Sequence, residues 1–456
     1  MTELQDVRAT RNHDAAEGAP SPSGPAPRDA APSPEALTAA VHALADRSRE
    51  ASRILARATR ARKDRLLLAV AEALVARRDV VLAANRTDVD RGRAAGSSEY
   101  LLDRLTLDAG RIDGLAAALT QLAALPDPVG TAVRAETLPN GLRMRQVRVP
   151  LGVVAAIYEA RPNVTVDIAG LALKSGNAVI LRGGSAAQAT NAALVGIVRD
   201  TLEDHGLPAD AVLTVDEYGR AGAQVLMEAR GRVDVLIPRG GRELIQSVVR
   251  NARVPVIETG EGNVHILLDE SAEESMAIRI LLNAKTQRPS VCNTVETLLV
   301  HSASAAAPGV LAALRRAGVT LHVDERSAAL LREEDGVVPA VPATEDDWGR
   351  EYMQLDLAVR TVDSVGEALR HIRRWSTGHS EAIITDSLAS SEEFVAGVDS
   401  AAVLVNASTR FVDGGELGLG AEVGISTQKM HARGPMGLAE LTTTQWIVQG
   451  EGQVRS

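Results

Sequence analysis

The only cysteine of the 456-residue chain, Cys292, is the residue whose chemistry stands out. A single thiol has no intramolecular disulfide partner, so it is either an inert core residue or a nucleophile. It follows a basic segment with Lys285 and Arg288 and precedes an apolar, β-branched run over 295–300. Positive charge and backbone N–H groups near a thiol lower its pKa, because they stabilise the thiolate. On residue type and position alone, both roles remain open.

The elements on either side predict that Cys292 lies on a loop. An amphipathic helix is predicted over 271–284, opening with the capping-box pattern Ser271-Ala-Glu-Glu274. Pro289 blocks further helix, and the run over 295–300 is typical of a buried strand. Cys292 is therefore expected at the entry of a strand rather than inside a core.

Length and composition limit the class of protein. The length indicates about two domains, and a hydrophobic content of 45% supports a well-buried core. A net charge of −10 without a basic stripe argues against nucleic-acid binding. No apolar run reaches membrane-spanning length, and the N-terminus lacks the layout of a signal peptide. One cysteine suits a reducing compartment, so we expect a cytoplasmic protein.

Changes in composition and in apolar periodicity along the sequence predict the domain organisation. Residues 1–33 are rich in Ala, Pro and Ser without a periodic apolar face, which predicts a disordered tail. Helical periodicity over 34–133 is followed by alternating short strands and helices over 151–264, the last predicted strand being 256–258. A second such unit spans 265–437. This alternation predicts an α/β fold with two parallel sheets covered on both faces.

A separate β element is expected between and after these units. Alternating runs over 134–138 and 142–149 flank Asn140-Gly141, which is the strongest short-range hairpin signal. A two-stranded hairpin is marginal alone, and 442–449 is also strand-like. We expect 134–150 and 438–452 to project and complete a sheet with a second subunit, which makes the protein a homo-oligomer.

Two glycine turns after predicted strands are candidates for phosphate binding. The chain lacks both G-x-G-x-x-G and G-x-x-x-x-G-K-[ST], which argues against the ATP-hydrolysing class. Backbone N–H groups where a helix starts bind phosphate, and a basic residue at the strand end, here Arg182, favours NADP(H) over NAD. On sequence alone, a tight turn without a ligand explains each equally well. The candidate cofactor residues in these turns are Arg182, Gly183, Gly184, Ser185, Gly240 and Gly241.

Long motifs spread over residues 36–452 connect the chain with a known family. They are 149–163 (VPLGVVAAIYEARPN), 172–177 (ALKSGN), 181–185 (LRGGS), 237–241 (IPRGG), 283–293 (NAKTQRPSVCN), 406–411 (NASTRF), 418–428 (GLGAEVGISTQ) and 431–437 (HARGPMG). In these motifs the chain resembles the gamma-glutamyl phosphate reductase family, also called glutamate-5-semialdehyde dehydrogenases. This family is the proline-biosynthesis branch of the aldehyde dehydrogenase superfamily. The resemblance implies an aldehyde dehydrogenase-like fold.

The resemblance also implies an activity, which is the NADPH-dependent reduction of L-glutamyl 5-phosphate to L-glutamate 5-semialdehyde and phosphate. Cys292 would attack the acyl carbonyl and expel phosphate, leaving a thioester for hydride to reduce. Asn163 matches the superfamily asparagine that stabilises the oxyanion together with the cysteine N–H. Without the family match, Asn163 is better explained as a turn residue after Pro162. Functional coupling to glutamate 5-kinase is a further implication.

Further residues take roles from the same resemblance. Glu351 aligns with the glutamate that holds the nicotinamide ribose, and a solvent-facing strand-edge carboxylate is the alternative. Glu258 aligns with the superfamily's general base, but hydrolysis of the thioester would waste the intermediate, so a structural role is favoured. The substrate's anionic groups suit Arg161, Arg410 and Arg433, for which surface ion pairs are the competing explanation.

Two other functions are compatible with parts of the pattern. One is an oxidising NAD(P)-dependent aldehyde dehydrogenase that acts on another short aldehyde. Arg182 and the missing Glu-Leu-Gly-Gly-Lys context around Glu258 argue against it. The other is a non-catalytic aldehyde dehydrogenase-like protein, against which Cys292 and Asn163 argue. The histidines show no metal-ligand spacing, so no metal is expected.

Overall fold

The computed structural model describes residues 33–159, 161–331 and 337–455. The predicted tail over 1–33 lies outside the described residues except for Ser33, whose hydroxyl accepts the Ala36 N–H at 3.2 Å and caps the first helix. The α-helices of this part of the chain are α1 (Pro34–Leu55), α2 (Arg60–Ala76), α3 (Arg78–Ala94), α4 (Glu99–Leu105), α5 (Ala109–Ala124), α6 (Pro162–Lys174), α7 (Gln188–Asp204), α8 (Gly219–Glu228), α9 (Arg242–Asn251), α10 (Glu274–Thr286), α11 (Ala307–Arg316), α12 (Glu325–Ala328), α13 (Val365–Trp375) and α14 (Leu388–Gly397). None of these described helices has the length and apolar character needed to span a membrane.

The strands form sheets that differ in direction and exposure. They are β1 (Ala132–Thr137), β2 (Arg143–Pro150), β3 (Val153–Tyr158), β4 (Ala178–Arg182), β5 (Val212–Thr214), β6 (Val235–Arg239), β7 (Val264–Leu268), β8 (Val295–His301), β9 (Thr320–Val323), β10 (Val341–Pro342), β11 (Asp356–Val362), β12 (Ser380–Ile384), β13 (Ala402–Val405), β14 (Ile425–Ser426), β15 (Gly434–Pro435) and β16 (Thr442–Gln449).

A four-stranded parallel sheet with the order β5-β4-β3-β6 forms the first unit. Every residue of β3 is buried, because helices cover both faces of the sheet. Val154 packs among residues of α2, α5, α6 and α7, whereas its neighbour Val153 packs among residues of α1 and α8. From β3 the chain continues on one side with β4 and β5, and it then returns to place β6 on the other side of β3. The crevice at the carboxyl ends of β3 and β6 is therefore a topological switch point, where open α/β sheets bind ligands.

The second unit is a seven-stranded parallel sheet with the order β10-β9-β11-β8-β7-β12-β13. Ile266 of β7 packs among residues of α10 and α11, and the next residue, Leu267, packs among residues of α13 and α14. Helices again cover both faces, so the predicted α/β fold with two parallel sheets is confirmed.

Two local predictions are wrong. The strand expected over 256–258 does not form, and Val256 makes only an isolated bridge to Leu236, because the chain is leaving the first sheet here. The capping box expected at Ser271 is also absent. Glu273 caps α10 instead, since its carboxylate accepts the N–H groups of Ser275 at 2.7 Å and Met276 at 2.6 Å.

The expected hairpin is confirmed and belongs to a three-stranded antiparallel sheet, β1-β2-β16. Gly141 at its turn has φ of +87°, which glycine adopts without strain. Strand β16 pairs with β2 along its whole length, from the Thr442–Pro150 pair to the Gln449–Arg143 pair. Side chains on both faces of β16 are exposed over most of its length. This sheet therefore has no covering layer within the described chain.

Candidate active site

Cys292 lies between α10 and β8, the position that the sequence predicted, and it is half-buried. Gly262 packs directly against it, because a Cβ atom at position 262 would lie only 1.5 Å from the Cys292 carbonyl oxygen. The Gly262 N–H donates to Glu351 Oε1 at 3.1 Å. Glu351, the expected ribose ligand, thus fixes the backbone segment on which the cysteine loop rests.

Burial dominates the effect of the surroundings on the Cys292 thiol. Burial raises the pKa of Cys292 to about 11, with Glu422 and Glu351 acting in the same direction and Arg239 opposing them. Lys285 does not contribute as expected, because its Nζ is buried and donates to Glu296 Oε2 at 2.7 Å. The sequence-based expectation that the preceding basic segment lowers the pKa of this thiol is wrong.

Asn163 is exposed in the first turn of α6, the helix that follows β3. Its Nδ2 donates to Asp167 Oδ2, one turn later, at 3.2 Å. An amide carries two N–H groups, so one remains for a ligand. Burial raises the pKa of Asp167 to about 6, against the opposing effects of the Asn163 hydrogen bond and the Arg239 charge.

The Gly240–Gly241 turn follows β6 at the switch point. The Gly241 N–H donates to Glu159 Oε1 at 3.0 Å, and Glu159 follows β3, the neighbouring strand. A Cβ atom at Gly240 would lie 2.8 Å from Glu159 Cδ, so this close approach requires glycine. The turn leads into α9, whose first N–H groups have no side-chain cap. The structure thus joins the loops after β3 and β6 at one edge.

The Arg182 turn follows β4 at the same edge of the sheet. Arg182 is half-buried, and its Nε is buried without a hydrogen-bond partner among the described residues. Gly183 leaves no room for a side chain, since a Cβ atom would lie 2.0 Å from Asn191 Nδ2, and its N–H donates to Asp216 Oδ1 at 2.7 Å. Gly184 precedes a short 3-10 turn that begins at Ser185. An unsatisfied guanidinium nitrogen beside a glycine turn fits the phosphate of a nicotinamide dinucleotide.

The three arginines expected to hold the substrate differ in their contacts. Arg433 Nη2 donates to the Asp399 carbonyl oxygen at 3.0 Å and to its Oδ1 at 3.1 Å. Arg410 Nε donates to Gln287 Oε1 at 3.0 Å. Arg161 is half-buried and immediately precedes α6. Arg410 also interacts with Cys292 through its charge.

Glu258 is bound to the loop over 418–428 rather than placed freely beside the thiol. Its N–H donates to Gln428 Oε1 at 3.0 Å, and its Oε2 accepts Gln428 Nε2 at 3.5 Å. These contacts support the structural role favoured from the sequence. Within the described residues, no group of three or more His, Cys, Asp or Glu side chains has the arrangement of a metal site.

Several residues in the surroundings of Cys292 and Asn163 were not singled out from the sequence. Arg239, Gly262, Asp167 and Glu422 come from four distant segments, and each lies in or beside a motif that was noticed for other residues. A cavity of about 250 Å³ also opens beside Asp167 and Glu422. The signal for Arg239 was its position at a strand end within Pro238-Arg-Gly-Gly241. Arginine there resembles Arg182 after β4, and the comparison between the two turns would have found it.

Comparisons with known proteins agree with this architecture. The aldehyde dehydrogenase family matches residues 27–330. The chain is 59% identical over 418 residues to a gamma-glutamyl phosphate reductase of Kineococcus radiotolerans, covering 91% of this chain and 96% of that protein. A relative of the same name from Clavibacter michiganensis is 59% identical, covering 90% and 94%. The crystal structure of a gamma-glutamyl phosphate reductase from Thermotoga maritima has a TM-score of 0.87 at 45% identity, covering 91% and 100%.

The two parallel sheets, the loop cysteine between them and the family match define the class: the chain belongs to the aldehyde dehydrogenase family. Enzymes of this family use a nicotinamide cofactor. Within it, the identity over nearly the whole chain places the protein in the gamma-glutamyl phosphate reductase branch, also called glutamate-5-semialdehyde dehydrogenase.

Proposed function

We propose that this protein reduces L-glutamyl 5-phosphate to L-glutamate 5-semialdehyde and phosphate in proline biosynthesis, with NADPH as the hydride donor. The observation that carries the proposal is the position of Cys292. The thiol lies at the entry of β8 and within the influence of Arg239, which ends β6 at the switch point of the first sheet. A nucleophile at such a junction can meet a substrate while a dinucleotide binds the adjoining edge.

The chemistry follows from the residues at this junction. Cys292 Sγ attacks the acyl carbonyl carbon and expels phosphate, which leaves a thioester on the chain. The oxyanion formed during this attack is stabilised by the second N–H of Asn163 and by the Cys292 N–H. Loss of one such donor costs about 3 kcal/mol in the barrier. The hydrogen bond from Asn163 to Asp167 directs the amide's NH₂ group, rather than its oxygen, towards that carboxylate.

The cofactor, when bound, supplies hydride to the thioester carbonyl carbon. Arg182 and the backbone of Gly183, Gly184 and Ser185 would hold its adenosine end, and Gly240 and Gly241 would approach its pyrophosphate. Arg182 selects NADPH, because a guanidinium pairs with the 2′-phosphate that NADH lacks. Glu351 would orient the nicotinamide ribose, while its other contact keeps Gly262 beneath the cysteine loop.

The substrate and the exposed three-stranded sheet β1-β2-β16 suggest partners. Arg161 and Arg410 are candidates for the substrate's anionic groups, and Arg433 would have to leave Asp399 to take part. Acyl phosphates hydrolyse readily, so coupling to the kinase that supplies the substrate, glutamate 5-kinase, would protect it. The three-stranded sheet would pair with a second subunit in a homo-oligomer. A catalytic thiol is kept reduced in the cytoplasm, where we place the enzyme.

The decisive experiment measures NADPH oxidation with freshly generated glutamyl phosphate, comparing the wild type with Cys292→Ala. The wild type is expected to consume NADPH in proportion to the acyl phosphate supplied. The variant is expected to lose at least about 10⁴-fold in kcat, because the covalent route is removed. Circular dichroism of both proteins serves as the control for folding. A folded Cys292→Ala enzyme that retains substantial turnover would rule out the thioester.

A further inference from the structure

Arg239 is the last residue of β6 and lies half-buried at the switch point. Its side chain leaves the first sheet and reaches the loop over 418–428, because a Cβ atom at Gly424 would lie 3.0 Å from Arg239 Nη1. On the backbone, the Arg239 carbonyl oxygen accepts the Glu159 N–H at 3.2 Å. The residue is therefore fixed at its base, and its guanidinium lies against the loop over 418–428.

The charge of this guanidinium shifts the pKa of four ionisable groups. Arg239 lowers the pKa of Cys292, Asp167 and Glu422, and it lowers the pKa of His379 by repulsion. The charge of Arg239 thus acts on the thiol and on both carboxylates. Yet across residues 33–159, 161–331 and 337–455, no hydrogen bond or ion pair engages its side chain.

The contrast with two other candidate arginines is informative. Arg433 is held by Asp399, and Arg410 by Gln287 and Asn293. Among the described residues, no partner occupies the N–H donors of Arg239, whose charge acts on the Cys292 thiol. A guanidinium fork matches a phosphate group, to which it donates two parallel hydrogen bonds.

We propose that Arg239 binds the phosphate group of the acyl phosphate and stabilises it as the leaving group. The assignment rests on the proposed function and adds a residue to it. The Cys292 Sγ–carbon bond forms while the bond between the carbonyl carbon and the phosphate oxygen breaks, and that oxygen keeps the electron pair. The thiol proton ends on the released phosphate. Arg239 offsets the negative charge that develops on the leaving oxygen.

The nearby carboxylates do not oppose phosphate binding as strongly as their number suggests. Burial raises the pKa of Asp167 to about 6, and it also raises the pKa of Glu422. Each carboxyl therefore takes up a proton more readily than an exposed one when an anion approaches, which reduces its repulsion of a phosphate.

The test runs the reaction backwards with glutamate semialdehyde and NADP⁺, where phosphate must attack the thioester. Without phosphate, each active Cys292 gives one NADPH in a burst, and added phosphate permits turnover. For Arg239→Gln we expect a burst of wild-type amplitude and a KM for phosphate raised at least about tenfold, since a charge-assisted pair is lost. Arg239→Lys, which keeps the charge without the fork, should fall between the two. Arg250→Gln, an exposed residue of α9, is the matched control.

Different outcomes contradict the role assigned to Arg239 and the thioester mechanism of the proposed function. A wild-type KM for phosphate in folded Arg239→Gln would overturn the assignment. So would loss of the burst amplitude in that variant, because Arg239 would then serve the thiol rather than the phosphate. Absence of a burst in the wild type would contradict the thioester itself and the assignment with it. Circular dichroism and thermal unfolding of each variant verify that the comparison is between folded proteins.

Discussion

Cys292 is half-buried in its loop, and the thiolate form of its side chain is strongly disfavoured. With its pKa raised to about 11, the thiol is protonated at neutral pH in the free enzyme. The nucleophile must therefore lose its proton as the substrate binds, and the phosphate that leaves is the natural acceptor. This arrangement keeps the thiol unreactive towards other electrophiles, since the thiolate is the reactive form.

The role proposed for Arg182 is to select NADPH over NADH. We expect Arg182→Gln to raise the KM for NADPH at least about tenfold, because its charge-assisted hydrogen bonds to the 2′-phosphate are lost. The KM for NADH should change less than about twofold, since NADH offers no group to Arg182. Initial rates with each cofactor, at saturating acyl phosphate, provide the measurement.

A matched substitution separates charge at this position from charge in general. Arg220→Gln removes an exposed arginine from the first turn of α8, and both KM values should stay at the wild-type level. Equal changes for NADPH and NADH in Arg182→Gln would show that the turn is distorted. The 2′-phosphate assignment would then fail.

Most elements follow from local patterns, and the exceptions have physical causes. Continuous apolar runs gave β3 and β8, and the Asn140-Gly141 turn gave the hairpin, because these signals are local. The start of α10 was missed since Glu273, rather than Ser271, captures the free N–H groups. The segment 256–258 was misassigned because Val256 and Ile257 resemble a short strand, whereas Val256 forms only an isolated bridge and Ile257 alone is buried.

The β16 strand should hold subunits together. Its three-stranded sheet is exposed on both faces, and Trp446 and Val448 are 48% and 53% exposed. An eight-residue strand with such side chains needs a further layer or strand for stability. We expect Trp446→Glu to weaken self-association roughly thirtyfold, the effect of losing an aromatic anchor worth about 2 kcal/mol. Sedimentation over a range of protein concentrations measures the dissociation constant.

Leu388→Glu is the matched control for this prediction. Leu388 opens α14 and is 73% exposed, so the same change from an apolar side chain to a carboxylate occurs far from β16 along the chain. Its dissociation constant should equal that of the wild type. If both substitutions weaken association equally, or neither does, the three-stranded sheet β1-β2-β16 is not the contact between subunits.

At the scale of the whole molecule, the sequence located the reactive loop but not its surroundings. Cys292 and the two glycine turns follow strands or precede them, and such positions can be found from a pattern. Gly262 and Cys292 precede the neighbouring strands β7 and β8, so their contact depends on the strand order of the second sheet, and the approach of Arg239 to Gly424 joins β6 with the distant loop over 418–428. Such contacts between distant segments follow from strand order and core packing, and a local pattern does not specify them.

Buried histidines should make the stability of the fold fall in acid. Burial, with His265, Arg360 and Arg374 adding repulsion, lowers the pKa of His371 to about 3, against about 6.5 in an unfolded chain. Below pH 6.5, His371 therefore binds a proton in the unfolded chain but not in the folded protein. The stability from the neutral ring is present above pH 6.5 and is lost as the pH falls towards 3.

Replacing this one ring isolates its contribution. His371→Phe keeps a ring against Trp348, whose ring centroid lies 5.5 Å away, and removes the titration. Between pH 6.5 and 4.5, its free energy of unfolding should fall by about 2 kcal/mol less than that of the wild type. Urea unfolding at both pH values measures the difference, with the exposed His431→Gln as control. Equal losses in His371→Phe and the wild type would mean that the acid sensitivity of the fold originates in other groups.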